Sequence, residues 1–387
     1  MKNKCFTAAS AALCLLLCLG LAACEQKQPR PERPTHEKIT SSAMEDGEIG
    51  TGTVPGDYIF HSVDGVLLKY HIPSGTVSTV CQDPFCTHER YSPSCPFAIS
   101  SRLMASIGNK LYYVLDGAEG QNHLRSYDGQ SMKTEQLHTS NGIISRLYSY
   151  NYYLYYTERV PAKNEDEYRT TIYRLDTQSG ALEVIDCGDP SFVIEFIEAG
   201  RIVWKDMWRD DLDSYYSTDL NGDDWRAYDQ NCCREWGKYK LRWELGKKDI
   251  DKMYCKDLST GEEILIAENI ADFYLYGDKM VYFKFASTRV WTDEYGMQIR
   301  DRYGGNVYVM NLDGTNDRLL CHVEDFVYLF PSMDKNNQFV CGDWVGFLSE
   351  RYYSSSPGNT PALLTSDMLI VNVVTGEYRY IKYNPCE

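Results

Sequence analysis

The amino-acid sequence predicts an all-β protein, a β-propeller of seven blades, with six or eight blades left open as alternatives. Three observations lead to this prediction. A unit of an alternating strand, a glycine-bearing turn and a second strand recurs seven times. The turn glycines lie 39 to 62 residues apart, and no helical spacing of apolar residues competes with the units after residue 56. Four strands per unit at such a period is typical of a propeller blade.

The turn defines each unit. A glycine follows the strand within a few residues, and glycine can take the positive-φ conformation that a tight hairpin requires. Asp-Gly and Asn-Gly, which occur in several of the units, are the strongest local hairpin signals. The seven predicted turn glycines are Gly75, Gly129, Gly180, Gly222, Gly261, Gly314 and Gly376.

A more apolar strand precedes most of these units and is expected to be buried on both faces. The first unit lacks an inner strand of this kind before Tyr58, which leaves the blade number open. Three polar, tyrosine-rich insertions interrupt the pattern, at about 158–170, 285–305 and 351–362. We expect them to project from one rim, where propellers place variable loops.

The first residues predict an export signal over residues 1–23. A basic start is followed by an apolar run that is shorter than the roughly 20 residues a membrane-spanning helix needs. The run ends in Leu21-Ala22-Ala23-Cys24, which resembles the bacterial lipobox. We therefore expect Cys24 to be acylated and to anchor the chain to a membrane by lipid, on its extracytoplasmic face. The alternative is an ordinary signal peptide with a chance cysteine.

Residues 24–55 are expected to form a disordered tether, because proline and charged residues dominate and large apolar side chains are nearly absent. The propeller then occupies residues 56–387. Removing residues 1–23 removes two lysines, so 37 basic residues (39 − 2) face 55 acidic ones, a net charge of −18. Such an acidic surface repels phosphates, and we exclude nucleic acid as the natural partner.

One local motif points to chemistry. Cys81, Cys86, His88 and Cys95 lie within fifteen residues, in the connection between the first two units. Three thiolates and an imidazole are a recognised ligand set for structural zinc. An exported protein also meets oxidising conditions, so a disulfide among these cysteines is the alternative. Seven further cysteines are dispersed.

Tryptophans suggest a second candidate site. Five of the seven lie within forty residues: Trp204, Trp208, Trp225, Trp236 and Trp243. Exposed aromatic faces stack on sugar rings and anchor protein partners, so these residues are candidates for a ligand face. The alternative is that they pack blades against one another, as propeller aromatics commonly do.

The chain resembles the TolB-like propellers in the phrase Asn-Leu-Asp-Gly-Thr at 311–315 and in degenerate copies of it. It also resembles lipoproteins of Gram-positive anaerobes that carry a propeller domain of unknown function, in which the pattern Cys-x-Asp-Pro-x-Cys-x-His also recurs. The resemblance covers most of residues 57–383. It implies a fold and not a reaction, because propellers host many functions.

Enzyme signatures are missing from the sequence. A Gly-x-Ser-x-Gly nucleophile elbow is absent, which argues against a serine peptidase. We therefore expect a non-enzymatic binding module for a glycan, peptide or protein partner. Two alternatives stay open: a propeller hydrolase or lyase whose carboxylates come from different blades, and a structural assembly factor.

Overall fold

The computed structural model describes residues 54–63, 66–86, 95–97, 99, 103–117, 121–161, 168–185, 191–198, 200–207, 215–228, 233–244, 252–270, 272–292, 298–323, 328–330, 340–353 and 362–381. The chain divides into two compact units, Met1–Ile39 and Thr40–Glu387, and every described residue belongs to the second. The predicted signal peptide, Cys24 and most of the predicted tether lie outside the described residues. None of the described segments is a helix long and apolar enough to cross a membrane.

Seven antiparallel sheets form the seven blades of a propeller, which confirms the predicted fold class. The first blade is β1 (Tyr58–Val63), β2 (Val66–His71) and β3 (Thr76–Thr79). The second is β4 (Met104–Ile107), β5 (Lys110–Asp116), β6 (Asn122–Asp128) and β7 (Thr134–Ser140). The third is β8 (Ile143–Tyr150), β9 (Tyr153–Pro161), β10 (Tyr168–Asp176) and β11 (Leu182–Ile185). The fourth is β12 (Phe192–Glu198), β13 (Arg201–Asp206), β14 (Tyr215–Asp219) and β15 (Arg226–Ala227).

The remaining blades continue in chain order. The fifth is β16 (Cys233–Trp236), β17 (Tyr239–Glu244), β18 (Lys252–Asp257) and β19 (Glu263–Glu268). The sixth is β20 (Asp272–Tyr276), β21 (Lys279–Thr292), β22 (Gln298–Asn311) and β23 (Arg318–Val323). In the seventh, β24 (Tyr328–Phe330) and β25 (Val340–Cys341) both pair with β26 (Trp344–Tyr353), which is followed by β27 (Ala362–Asn372) and β28 (Tyr378–Ile381).

A four-stranded blade runs from an inner strand through a second and a third to an outer strand. In five of the six blades after the first, the backbone N–H just after the third strand donates to a carbonyl in the turn before the second strand, at 2.7–3.1 Å. The first blade has this bond too, from Ile72 to Asp57, directly before β1. Its three strands therefore correspond to the second, third and outer strands of the other blades. The inner strand that the sequence lacked before Tyr58 is also missing from the described sheet.

Five of the seven turns between third and outer strands share one geometry, whereas the positive-φ glycines of the other two, Gly222 and Gly314, lie three positions after the strand end. In those five turns the residue four positions after the end of the third strand has positive φ, as at Gly75, Gly261 and Gly376, and its N–H donates back to that strand-end carbonyl. In the second blade this position is Met132 (φ 58°), whose N–H donates to the Asp128 carbonyl at 2.8 Å. The prediction that Gly129 takes the positive-φ position is wrong, because the position is counted from the strand end and not from an Asp-Gly pair.

Apolar side chains pack mainly between neighbouring blades. Clusters of buried residues occupy six of the seven blade interfaces within the described part of the chain. One of them closes the ring, where Tyr70 and Ile72 of the first blade pack with Met368 and Ile370 of the seventh. Arg379 of the seventh blade donates to the Ile72 carbonyl across the same seam. The described sheets share no strand between the two ends of the chain, so side chains close the ring.

The strand order gives the propeller two different faces. The turns from inner to second strand and from third to outer strand lie together, and we name this side the turn face. The hairpins between second and third strands and the connections between blades lie at the other end, the hairpin face. The hairpin of β21 and β22 is the longest described, with 14 residues in each strand. All three predicted insertions lie on the hairpin face, and their described parts are paired strands.

Candidate metal centre and ligand face

The most distinctive chemical feature of the described residues is a cluster of three cysteine thiols. Cys81, Cys86 and Cys95 belong to the connection between the first and second blades, on the hairpin face. Their sulfur atoms all lie within 4.8 Å of one another. Zinc–sulfur bonds of about 2.3 Å in a tetrahedron place sulfurs about 3.8 Å apart. The three sulfurs are therefore arranged so that they could hold one metal ion.

Burial controls the charge of these thiols. Cys81 and Cys95 are buried and Cys86 is half-buried. Desolvation raises the pKa of Cys95 to about 12 and also raises the pKa of Cys81, although the backbone N–H groups of Phe97 and Asp83 act against it. A nearby cation would stabilise the thiolates that burial disfavours.

A short turn positions the first two sulfurs. The Asp83 carbonyl accepts the N–H of Cys86 at 3.1 Å, and the Asp83 carboxylate accepts the N–H of Phe85 at 2.9 Å. Proline at 84 suits the same turn by holding its own φ near −65°. The Phe85 side chain, next to the cluster, is 92% exposed.

The structure brings together three of the four predicted ligands. His88 lies outside the described residues, so its predicted role stays a prediction. None of the six cysteines whose side chains are described is paired in a disulfide, and Cys255, Cys321 and Cys341 are buried in other blades. The disulfide alternative also stays a prediction, because any two of the three clustered sulfurs are close enough to be joined by oxidation.

The five tryptophans do not form one ligand face. Trp204 and Trp236 are buried, and the Trp236 indole N–H donates to the Gly277 carbonyl of the next blade at 2.7 Å. Trp225 is 40% exposed and stacks on Trp204 with ring centroids 5.7 Å apart. Trp208 lies outside the described residues, and so does the side chain of Trp243.

Packing explains why Trp204 is buried. It pairs across strands with Tyr216, as Tyr156 pairs with Tyr173 in the third blade. The sixth blade repeats the arrangement, with Tyr282 and Tyr308 stacked 5.2 Å apart. Such aromatic pairs on second and third strands fill the space between blades. The sequence signal for burial between blades was therefore the recurrence of this aromatic pair in several blades. The number of tryptophans within forty residues was not such a signal.

The carboxyl groups whose pKa is lowered accept hydrogen bonds from turn backbone, hydroxyl or arginine groups. A side-chain hydrogen bond from Ser259 lowers the pKa of Asp257 to about 2, and backbone and side-chain bonds in equivalent turns lower the pKa of Asp128 and Asp313. Arginine hydrogen bonds lower the pKa of Asp224 and Glu263. Lowered values suit turn caps and ion pairs, whereas a general acid needs a raised value.

A buried polar network escaped the sequence analysis. The Ser140 hydroxyl, at the end of the outer strand of the second blade, donates to the Glu158 carboxylate of the third. A hydrogen bond also joins Tyr173 to Glu158, and burial followed by this bond raises the pKa of Tyr173 to about 12. Nothing in the sequence marks Glu158 as buried, because an isolated glutamate in a strand normally faces water. The network connects two blades next to the hairpin face.

The fold and the thiol cluster together define a β-propeller with a candidate metal centre on its hairpin face. No family model and no curated protein matches the chain. Solved propeller structures are similar in fold. TolB from Acinetobacter baumannii has 14% identity and a TM-score of 0.36, over 70% of this chain and 66% of TolB, just under two thirds of its length.

Two further solved structures match the chain over most of its length. An oligogalacturonate lyase from Vibrio parahaemolyticus has 11% identity and a TM-score of 0.41, over 83% of this chain and 89% of the lyase. The β-propeller domain of the Trilobed protease from Pyrococcus furiosus, described as having an open velcro topology, has 10% identity and a TM-score of 0.45, over 87% and 97%. At these identities the likeness concerns the fold alone.

Proposed function

We propose that this protein is a lipid-anchored, extracytoplasmic binding module whose ligand, a glycan, peptide or protein, binds the hairpin face. Enlargement of that face is the observation that carries the proposal. The hairpin of β21 and β22 has 14 residues per strand, against seven in β5 and β6. Extended hairpins on a rigid ring create a surface that packing of the ring does not require.

Two other observations support this assignment. The chain joins the propeller on the turn face, where the Asp57 N–H donates to the Asn109 side chain at 2.6 Å. A tether leaving from there would keep the hairpin face clear. The described carboxyl groups with lowered pKa cap turns or bind arginine, so they have structural roles in the ring that carries the hairpins.

Within this proposal the thiol cluster is a structural zinc site, completed by His88. Three sulfurs and one imidazole would fill all four positions of a tetrahedral ion and leave no position for a substrate. The zinc ion would then hold a connection of the hairpin face in place.

Shortening one hairpin tests the proposal. Residues 286–304 are replaced by Asn-Gly, which closes a tight turn where Phe285 and Gly305 are already paired. The labelled chain from residue 24, carrying Cys24→Ser, is applied to glycan and peptide arrays. We expect the parent to bind one class of probe and the shortened variant to lose that binding.

The matched control is a change on the opposite side, Met132→Gly in a turn of the turn face, which should leave array binding unchanged. Binding that survives hairpin shortening would contradict the proposal. Chemical conversion of a bound probe would favour the hydrolase or lyase alternative, and no binding to either array would favour the assembly factor.

A further inference from the structure

We infer that the thiol cluster acts as a clasp: by binding Zn²⁺, it holds the three-stranded first blade in the ring. This inference rests on the zinc site proposed above and adds what the ion does there. It follows from where the cluster lies in the fold.

The first blade has the least support of the seven. Its sheet has three described strands, whereas every other blade has at least four. An inner strand normally contributes one ladder of backbone hydrogen bonds and one row of buried side chains. Among the described residues the first blade has neither, and the described strands from the other end of the chain do not join its sheet.

Both ends of the cysteine segment belong to the interface between the first and second blades. Val80, directly before Cys81, is buried in that interface and its N–H donates to the Leu67 carbonyl at 2.9 Å. Ile99, shortly after Cys95, is buried in the same cluster.

Side-chain contacts tie the second end of the segment to both blades. The Phe97 ring lies 5.6 Å from the rings of Tyr113 and Tyr127 in the second blade. The Ile99 carbonyl accepts the Ser62 hydroxyl of the first blade at 2.7 Å. A metal ion joining Cys81, Cys86 and Cys95 would therefore link the outer edge of the first blade to the side chains that pack it on the second.

Metal binding adds directly to folding free energy when the site forms only in the folded chain. A connection that is already held by three metal ligands has fewer conformations to lose. Packing it between the two blades therefore costs less conformational entropy than packing a free connection. The expected effect is local, because the described ligands all lie in one connection. Loss of the ion should loosen the first blade and its seam with the seventh, and leave distant blades unchanged.

Hydrogen exchange on the chain from residue 24, with and without chelator, tests this expectation. Adding Zn²⁺ should slow exchange in β1 to β3 and in β27 and β28, while β12 to β19 exchange equally in both states. The matched control is Cys255→Ser, which removes another buried thiol but should keep the zinc response.

Cobalt substitution tests whether the thiol cluster binds a metal ion, independently of whether that ion stabilises the first blade. Substituted Co²⁺ should give a thiolate charge-transfer band that weakens with Cys86→Ser and stays with Cys255→Ser. Absence of the band, or a mass two hydrogens lower from a disulfide, overturns the zinc site. A band without preferential protection of the first blade overturns the clasp alone. Array binding through the hairpin of β21 and β22 is scored separately and does not depend on either result.

Discussion

At the scale of single residues, two glycines of the repeating unit are needed for different reasons. Gly261 has φ +78°, and a Cβ added there would meet nothing within 4 Å. Gly129 is not in the left-handed region, but a Cβ would lie 2.9 Å from the Tyr58 ring and 3.1 Å from Phe60. The first glycine serves the backbone of a turn, and the second permits close contact between blades one and two.

Substitution should separate the two roles. Gly261→Ala should cost about 1–2 kcal/mol, the penalty of a left-handed alanine. Gly129→Ala should cost about 1–3 kcal/mol through overpacking. Asparagine tolerates left-handed backbone, so Gly261→Asn should recover part of the loss, whereas Gly129→Asn should be worse than alanine. Denaturant unfolding measures all four, and equal recovery at both positions would contradict this distinction.

At the scale of the element, the outer hairpins are held by carboxylate caps. The Asp257 carboxylate accepts the N–H of Ser259 at 2.8 Å and that of Thr260 at 3.3 Å. Asp128 accepts the N–H groups of Gln130 and Ser131 in the same manner. These bonds satisfy amides that the strands leave unpaired at the turn. The aspartates of these turns therefore have a structural role.

The caps make the hairpins sensitive to acid. The pKa of Asp257 is about 2 in the folded chain, below the value of about 3.9 expected when unfolded. Its contribution is complete above the unfolded value and is lost as the pH falls towards 2. Asp257→Asn should destabilise at neutral pH, and its difference from the parent should shrink along a falling pH series of denaturant melts.

The control for this series is Asp278→Asn, because the Asp278 carboxylate contacts the Lys279 ammonium at 2.6 Å on the surface and caps no turn. Exposed pairs of this kind contribute little. A difference between Asp257→Asn and the parent that stays constant down to the lowest pH would contradict the role of the cap.

At the scale of the whole molecule, repetition made the fold predictable. Seven similar units constrain the architecture more than any one strand does, so the blade count followed although Gly129 was misplaced in its turn. The sulfur cluster was also predictable, because Cys81, Cys86 and Cys95 are close in sequence and one connection brings them together. Burial of Glu158 was not, because it depends on a neighbouring blade that local pattern does not specify.

The lipid anchor is a prediction about the whole protein and needs a cellular test. Cys24→Ser should prevent acylation and move the protein from the membrane pellet to the released fraction. A single substitution at Cys187, outside the lipobox, is the control and should leave the protein in the pellet. Retention of the Cys24→Ser protein in membranes after a high-salt wash would contradict the anchor.

The closure of the ring by side chains has a consequence for biosynthesis. Each described sheet uses strands that follow one another in the chain, so a sheet can form as soon as its own segment has been made. In a ring sealed by a strand from the opposite terminus, one blade must wait for the end of translation. Here a nascent chain that has reached Val323 already contains the strands of six sheets. Of the described strands, those of the seventh blade are made last, and they can pair with one another before docking on blades whose strands already exist.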